Sequence, residues 1–172
     1  DWSQSRPGYE GAVWYRVSFD APATSDAEAV LALFVERVCT SLEVHLNGRR
    51  IYGNGRLNEP LAQGCYEPRL VTLPPALLQP QGNRLDLRVS GNALDHVSSR
   101  ERAAGLSTLR IGPLTELAGI WRTQQFWNVT SAQGVAGTLL VLGVFVLGVG
   151  WFNRTASYLL YLGLLAMGWA VF

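Results

Sequence analysis

The chain has 172 residues, 48% of them hydrophobic, and a formal net charge of +1, with 14 basic residues that are all arginine. That balance gives no reason to expect a nucleic acid or a strongly acidic partner. The average hides an asymmetry, because every acidic residue lies at or before Glu116 and Arg154 is the only charged residue after Arg122.

In chain order, residues 9 to 117 carry short period-2 runs divided by Gly, Pro and Asn, the signature of short strands and turns. Val13–Phe19 is predicted as a strand. Trp14 and Tyr15 are neighbours in it, so one must point inward, and Trp14 is read as core rather than as a sugar-stacking surface. Ala29–Val38 is almost entirely apolar and is predicted as a central strand. Leu42, Val44 and Leu46 alternate with Glu43, His45 and Asn47, so this strand is half-buried, with His45 in solvent. Asn47-Gly48 predicts a tight hairpin turn into Arg49–Tyr52, because both residues accept positive φ. Arg69–Leu73 precedes Pro74-Pro75, and a short turn is expected at Ala76–Leu78. Leu85, Leu87 and Val89 then alternate with Arg84, Asp86 and Arg88, and Leu109–Ile111 closes before Gly112-Pro113. Strands at this spacing predict an all-β sandwich or jelly roll.

Residues 114 to 131 form a connector, expected as either an extended stretch or a helix entering a membrane, with no Ser/Gly linker. Val135–Phe152 then runs for 18 residues without a charge. As a helix it is about 27 Å long, close to the ~30 Å hydrocarbon core of a bilayer. Asn153-Arg154-Thr155 breaks the run, and Ala156–Phe172 resumes it. This predicts a transmembrane helical hairpin. Arg154 argues for a cytoplasmic turn, with Trp121, Phe126 and Trp127 at the outer interface and Trp151, Phe152, Tyr158 and Tyr161 at the inner one. Beginning at Asp1 and ending inside an apolar run, the chain reads as part of a longer protein. The boundaries expected are 1–117 for the extracytoplasmic sandwich, 118–131 for the connector, 132–152 for the first transmembrane helix, 153–155 for the turn and 156–172 for a truncated second helix.

Ordered motifs carry a resemblance. Gly11-Ala12-Val13-Trp14-Tyr15-Arg16-Val17-Ser18-Phe19, Leu42-Glu43-Val44-His45-Leu46-Asn47-Gly48, Leu73-Pro74 and Gly82-Asn83-Arg84-Leu85-Asp86-Leu87-Arg88-Val89 resemble galactose-binding-like jelly rolls. The sugar-binding domain of family 2 glycoside hydrolases shares that order. With Ile111-Gly112-Pro113, Phe126-Trp127-Asn128-Val129-Thr130, the apolar helix and Tyr158–Leu165 added, the chain resembles bacterial seven-transmembrane receptors with diverse intracellular signalling modules. The resemblance implies a periplasmic sensor domain on an inner-membrane bundle. It also implies a histidine kinase or diguanylate cyclase output outside this chain, and a homodimer through the receptor. The expected partners are the bilayer and a carbohydrate, another small ligand or a periplasmic protein, and no nucleic acid. The alternative is a membrane-anchored carbohydrate-binding or glycoside-hydrolase accessory domain.

Candidate ligand-binding residues are sought on loops, where recognition concentrates: Tyr52, Asn54, Arg56 and Tyr66, together with His96, Arg100 and Arg102. Arg100-Glu101-Arg102 also reads as a solvated charge run. Asp95, His96, Ser98 and Ser99 have the residue types of a hydrolytic triad, but neighbours in sequence do not converge as nucleophile, base and orienter. No catalytic residue is expected in this fragment. Two cysteines and two scattered histidines supply no metal site, and no cofactor is expected. Cys39 and Cys65 are an even pair in an oxidising compartment and form a disulfide candidate.

Overall fold

A computed structural model describes residues 8–21, 30–39, 41–54, 66–97, 105–153 and 156–171. The chain divides into two units, 1–125 and 126–172.

Among the described residues, seven strands build the first unit: β1 Gly11–Phe19, β2 Leu31–Val35, β3 Leu42–Leu46, β4 Arg49–Asn54, β5 Arg69–Thr72, β6 Asn83–Gly91 and β7 Leu109–Pro113. They form a four-stranded sheet in the order β1-β6-β3-β4 and a three-stranded sheet in the order β5-β2-β7. All pairings are antiparallel. The two sheets share one core, and the unit is a β-sandwich. Leu31, Leu33, Val35 and Val71 enter that core from one sheet and Leu42, Val44, Leu46, Leu85, Leu87 and Val89 from the other. The period-2 alternation dictates this, since a pleated strand sends every second side chain to the same face.

β2 does not alternate, because it is buried on both faces. Ala32 and Phe34 point away from the main core into a second one, closed by Leu117 with Leu70, Leu114, Ile120 and Trp121 around it. The covering element is α1, Leu114–Gln125. Residues 114–125 of the connector are therefore a helix of the sandwich unit, and residues 126–131 fall in the second unit. The expected boundary at residue 117 cuts through it. Trp121 packs partly buried on this second core, and its indole N–H donates to the Pro68 carbonyl oxygen at 3.0 Å. The expected strand at Ala29–Val38 is shorter, ending at Val35, and Val38 makes only an isolated bridge to Leu106.

One end of the four-stranded sheet is held by two asparagines. Asn47 (φ 49°) and Gly48 (φ 84°) make the predicted hairpin turn. The Asn47 side chain donates to the Leu77 carbonyl oxygen at 2.7 Å and accepts from the Arg84 backbone N–H at 2.8 Å. It also donates at 3.0 Å to Asn83 Oδ1, whose residue is fully buried. Asn83 in turn accepts from the Gln79 N–H at 2.8 Å and donates to the Gln79 carbonyl oxygen at 2.6 Å. A buried amide so satisfied fixes where β6 begins.

In the second unit a π-helical turn, Phe126–Thr130, leads into α2, Ser131–Phe152, and α3 follows at Tyr158–Val171. The helical run Leu114–Phe152 contains a stretch long and apolar enough to cross a membrane, and α3 is a shorter apolar helix. The two helices meet where side chains are absent. A Cβ on Gly163 would lie 2.6 Å from Leu147 Cγ and 2.8 Å from the Gly143 carbonyl oxygen, so the backbones approach closely. Large apolar side chains such as Leu142, Phe145, Leu164 and Trp169 remain exposed. An apolar surface all round a hairpin suits lipid rather than water. Arg154, on which the orientation of the turn rests, lies outside the described residues.

Candidate functional site

The outward face of the four-stranded sheet carries an ordered array. Register places Arg16, Asp86, His45 and Arg50 in one row across β1, β6, β3 and β4. The next row holds Trp14, Arg88, Glu43 and Gly53. Directly opposed side chains of this kind interact across a sheet.

Asp86 is the centre of the first row. It accepts from Arg16 Nε at 2.8 Å and from Arg84 Nε at 2.9 Å. The hydrogen bond from Arg16 holds its carboxyl below the usual carboxylate value; burial opposes the shift, and the charges of both arginines add to it. A carboxylate fixed in this way is ionised at neutral pH and does not serve as a general acid. In the second row Glu43 is paired with Arg50 Nη1 at 3.4 Å and Arg88 Nη1 at 3.5 Å. Gly53 makes room for this, since a Cβ there would lie 3.0 Å from Arg50 Nη2.

Trp14 is 55% exposed. From the edge strand β1 it reaches across β6 and sets its ring 5.3 Å from His45 on β3, edge-on at 60°. The Arg88 guanidinium carbon lies 5.9 Å from the Trp14 ring centre, within the range of a cation–π contact. The expectation that Trp14 is core is thereby corrected: Tyr15 is the inward residue of the pair, and burial pushes its phenol above the ordinary value. The expectation of a solvated His45 is corrected too. Its side chain is only 22% exposed, and Nε2 is enclosed, without a hydrogen-bond partner among the described residues and 3.9 Å from Glu43 Oε2. Trp14, Arg16, His45, Gly48, Arg84 and Asp86 line an open depression of about 570 Å³.

The loop candidates lie elsewhere. Tyr52 packs half-buried against the sandwich core. Asn54 Oδ1 accepts from the Leu42 N–H at 2.6 Å, which ties β4 to β3. Tyr66 is exposed on the turn before β5. His96, on a single 3-10 turn, has Nδ1 3.6 Å from Glu10 Oε2. Arg56, Arg100 and Arg102 lie outside the described residues, as do Ser98 and Ser99. Cys39 is disulfide-bonded; Cys65, the only other cysteine of the chain, is outside the described residues.

Sequence reasoning searched the loops and missed the sheet face. The signal was present in the polar phase of three strands, Trp14 and Arg16, Arg84, Asp86 and Arg88, and Glu43 and His45. Only the order β1-β6-β3 brings those phases side by side.

No family model and no curated protein matches the chain. Among solved structures it is similar to a β-glucuronidase of Faecalibacterium prausnitzii, at 22% identity over 48% of this chain and 12% of that one, with a TM-score of 0.38. It is similar to the β-glucuronidase of Ruminococcus gnavus, at 20% identity over 48% and 13% of the two chains, with a TM-score of 0.39. An FMN-binding β-glucuronidase from Faecalibacterium prausnitzii L2-6 is similar at 14% identity over 60% and 15%, with a TM-score of 0.47. The matched part is thus a small fraction of each of those enzymes.

Proposed function

We propose that the sandwich is a carbohydrate-binding module of the galactose-binding-like jelly-roll type, anchored at a membrane by α2 and α3, with the Trp14 face as its recognition surface. The observation that carries this reading is Trp14 itself, an exposed ring braced by His45 and Arg88 above a lattice of paired charges. An aromatic face covers the apolar C–H face of a sugar ring, while guanidinium and carboxylate groups beside it hydrogen-bond hydroxyls. Because the ring is already held, little rotamer freedom is lost on binding. The locked state of Asp86 favours binding over proton transfer. The test is a glycan-array screen of the full chain in lipid nanodiscs, with Trp14→Ala beside the parent. Binding of at least one glycan, lost in Trp14→Ala and kept in Tyr66→Ala, supports the reading. Absence of any glycan binding, or equal binding by Trp14→Ala, refutes it.

A second reading makes the same module the periplasmic input of a bacterial inner-membrane receptor with a histidine kinase or diguanylate cyclase output beyond this chain. It is favoured by α1, the last element of the sandwich unit before the apolar helices, which is docked on β2 through Leu117. A ligand on the sandwich shifts such a receptor only by favouring one of its states. In the natural full-length protein, ligand should change the output and Leu117→Ser should uncouple the two. An output indifferent to a ligand that binds leaves the anchored module alone.

A further inference from the structure

The face that takes the sugar is not electrically neutral, and its spare charge has a location. Arg16, Arg50, Arg84 and Arg88 are set against two carboxylates, Asp86 and Glu43. Arg16 and Arg84 both reach Asp86 through Nε. Among the described residues no hydrogen bond engages the terminal Nη groups of either. Their side chains are 66% and 48% exposed, whereas that of Asp86 is 10% exposed. The carboxylate thus sits at the floor as a brace, and two guanidinium ends stand above it on the wall of the depression that Trp14 also lines.

We infer that the Trp14 face selects acidic saccharides, with a uronate carboxylate received by the Nη groups of Arg16 and Arg84 while the sugar ring covers Trp14. This rests on the carbohydrate reading above and names its ligand class. The planar fork of a guanidinium matches the two oxygens of a carboxylate and binds it in a charge-assisted, bidentate way that hydroxyls do not equal. Asp86 holds both forks in place before the ligand arrives, so the ordering cost is small. The depression lies within the roughly 300–1,000 Å³ of small-molecule sites. A free inorganic anion shares the carboxylate's charge but has no ring to cover Trp14.

The experiment titrates the full chain in nanodiscs of zwitterionic lipid with oligosaccharides of galacturonate, glucuronate and mannuronate, each beside its carboxyl-reduced neutral counterpart. The expected result is that at least one uronate binds tenfold or more tightly than its neutral counterpart, with an affinity that falls as salt rises. The Arg16→Gln/Arg84→Gln double variant should bring the two forms level. Arg110→Gln, on β7 of the other sheet, should change nothing. Neutral sugars that bind as tightly as uronates overturn the acidic class and leave the carbohydrate reading standing. No binding by any saccharide overturns both. Inorganic phosphate that displaces the uronate at equal concentration reveals a plain anion site and overturns the saccharide class. The parent comparison of uronate with neutral sugar decides the matter even where the double variant fails to fold.

Discussion

Replacing Asn83 with alanine tests whether the asparagine pair holds one end of the sandwich. Asn83 is fully buried and makes three hydrogen bonds, two with the Gln79 backbone and one with the Asn47 amide. Each contributes about 0.5–1.5 kcal/mol net, so their joint loss costs about 1.5–4.5 kcal/mol. Gln79 is itself exposed, and water can take up part of what its backbone loses. The cost therefore falls in the lower half, about 2–3 kcal/mol. Against the ~5–15 kcal/mol of a typical domain that is a large fraction. The assay is urea unfolding of the full chain in detergent, followed by tryptophan fluorescence. Asn47→Gly is the matched variant, because glycine keeps the positive φ and removes only the amide. The two changes share one hydrogen bond, so the double variant should lose about 0.5–1 kcal/mol less than the sum of the singles. A cost below about 0.5 kcal/mol for Asn83→Ala, or strict additivity with Asn47→Gly, refutes the clamp.

Three further outcomes are expected. Gly163→Ala should loosen the α2–α3 crossing by about 1–3 kcal/mol of overpacking, read as a lower SDS fraction at half-unfolding; Gly148→Ala, where a Cβ meets nothing within 4 Å, is the control, and equal behaviour of the two refutes the close approach. Asp86 titrates lower in the folded chain than in the unfolded one, so its contribution is complete above the unfolded value near pH 4 and is lost as pH falls through the lower folded value. Unfolding midpoints measured from pH 6 to 2 should fall more steeply for the parent than for Asp86→Asn, and identical slopes count against the Arg16–Asp86–Arg84 cluster. Reduction of the Cys39 disulfide should lower stability on the order of 3 kcal/mol if it closes the loop to Cys65; an unchanged midpoint in reductant refutes that contribution.

Most of the strands were legible because alternation is a local property of a half-buried sheet. β1, β3 and β6 fall where their period-2 runs lie, and Asn47-Gly48 turns into β4 as its φ preferences require. For α1 the sequence is compatible with both helix and extended chain. Its apolar positions, Leu114, Leu117, Ile120 and Trp121, are few, and what makes them a buried face is the outer side of β2, about 80 residues earlier. The sequence overstates the length of β2 for the same reason, since burial on two faces removes the alternation that marks where a strand stops.

The Trp14 face illustrates a different limit. The phase of Trp14 could be read locally: it shares parity with Arg16 and Ser18, while Tyr15 shares parity with Val13, Val17 and Phe19. That parity puts the tryptophan outside, and a general preference of tryptophan for cores gives way to it, because a one-residue shift that buried Trp14 would bury Arg16 with it. What no local pattern supplies is the company Trp14 keeps. Arg88 and Asp86 reach β1 across a separation of about 70 residues, and His45 comes under the indole only because β6 lies between β1 and β3. Each of these side chains alone reads as the solvated side of its strand. Side by side they oppose charges in register, enclose His45 and leave two guanidinium ends over one carboxylate. The chemistry of the face is therefore a consequence of strand order, and a variant that keeps every residue but disturbs the β1–β6 pairing should lose the site while keeping the composition that built it.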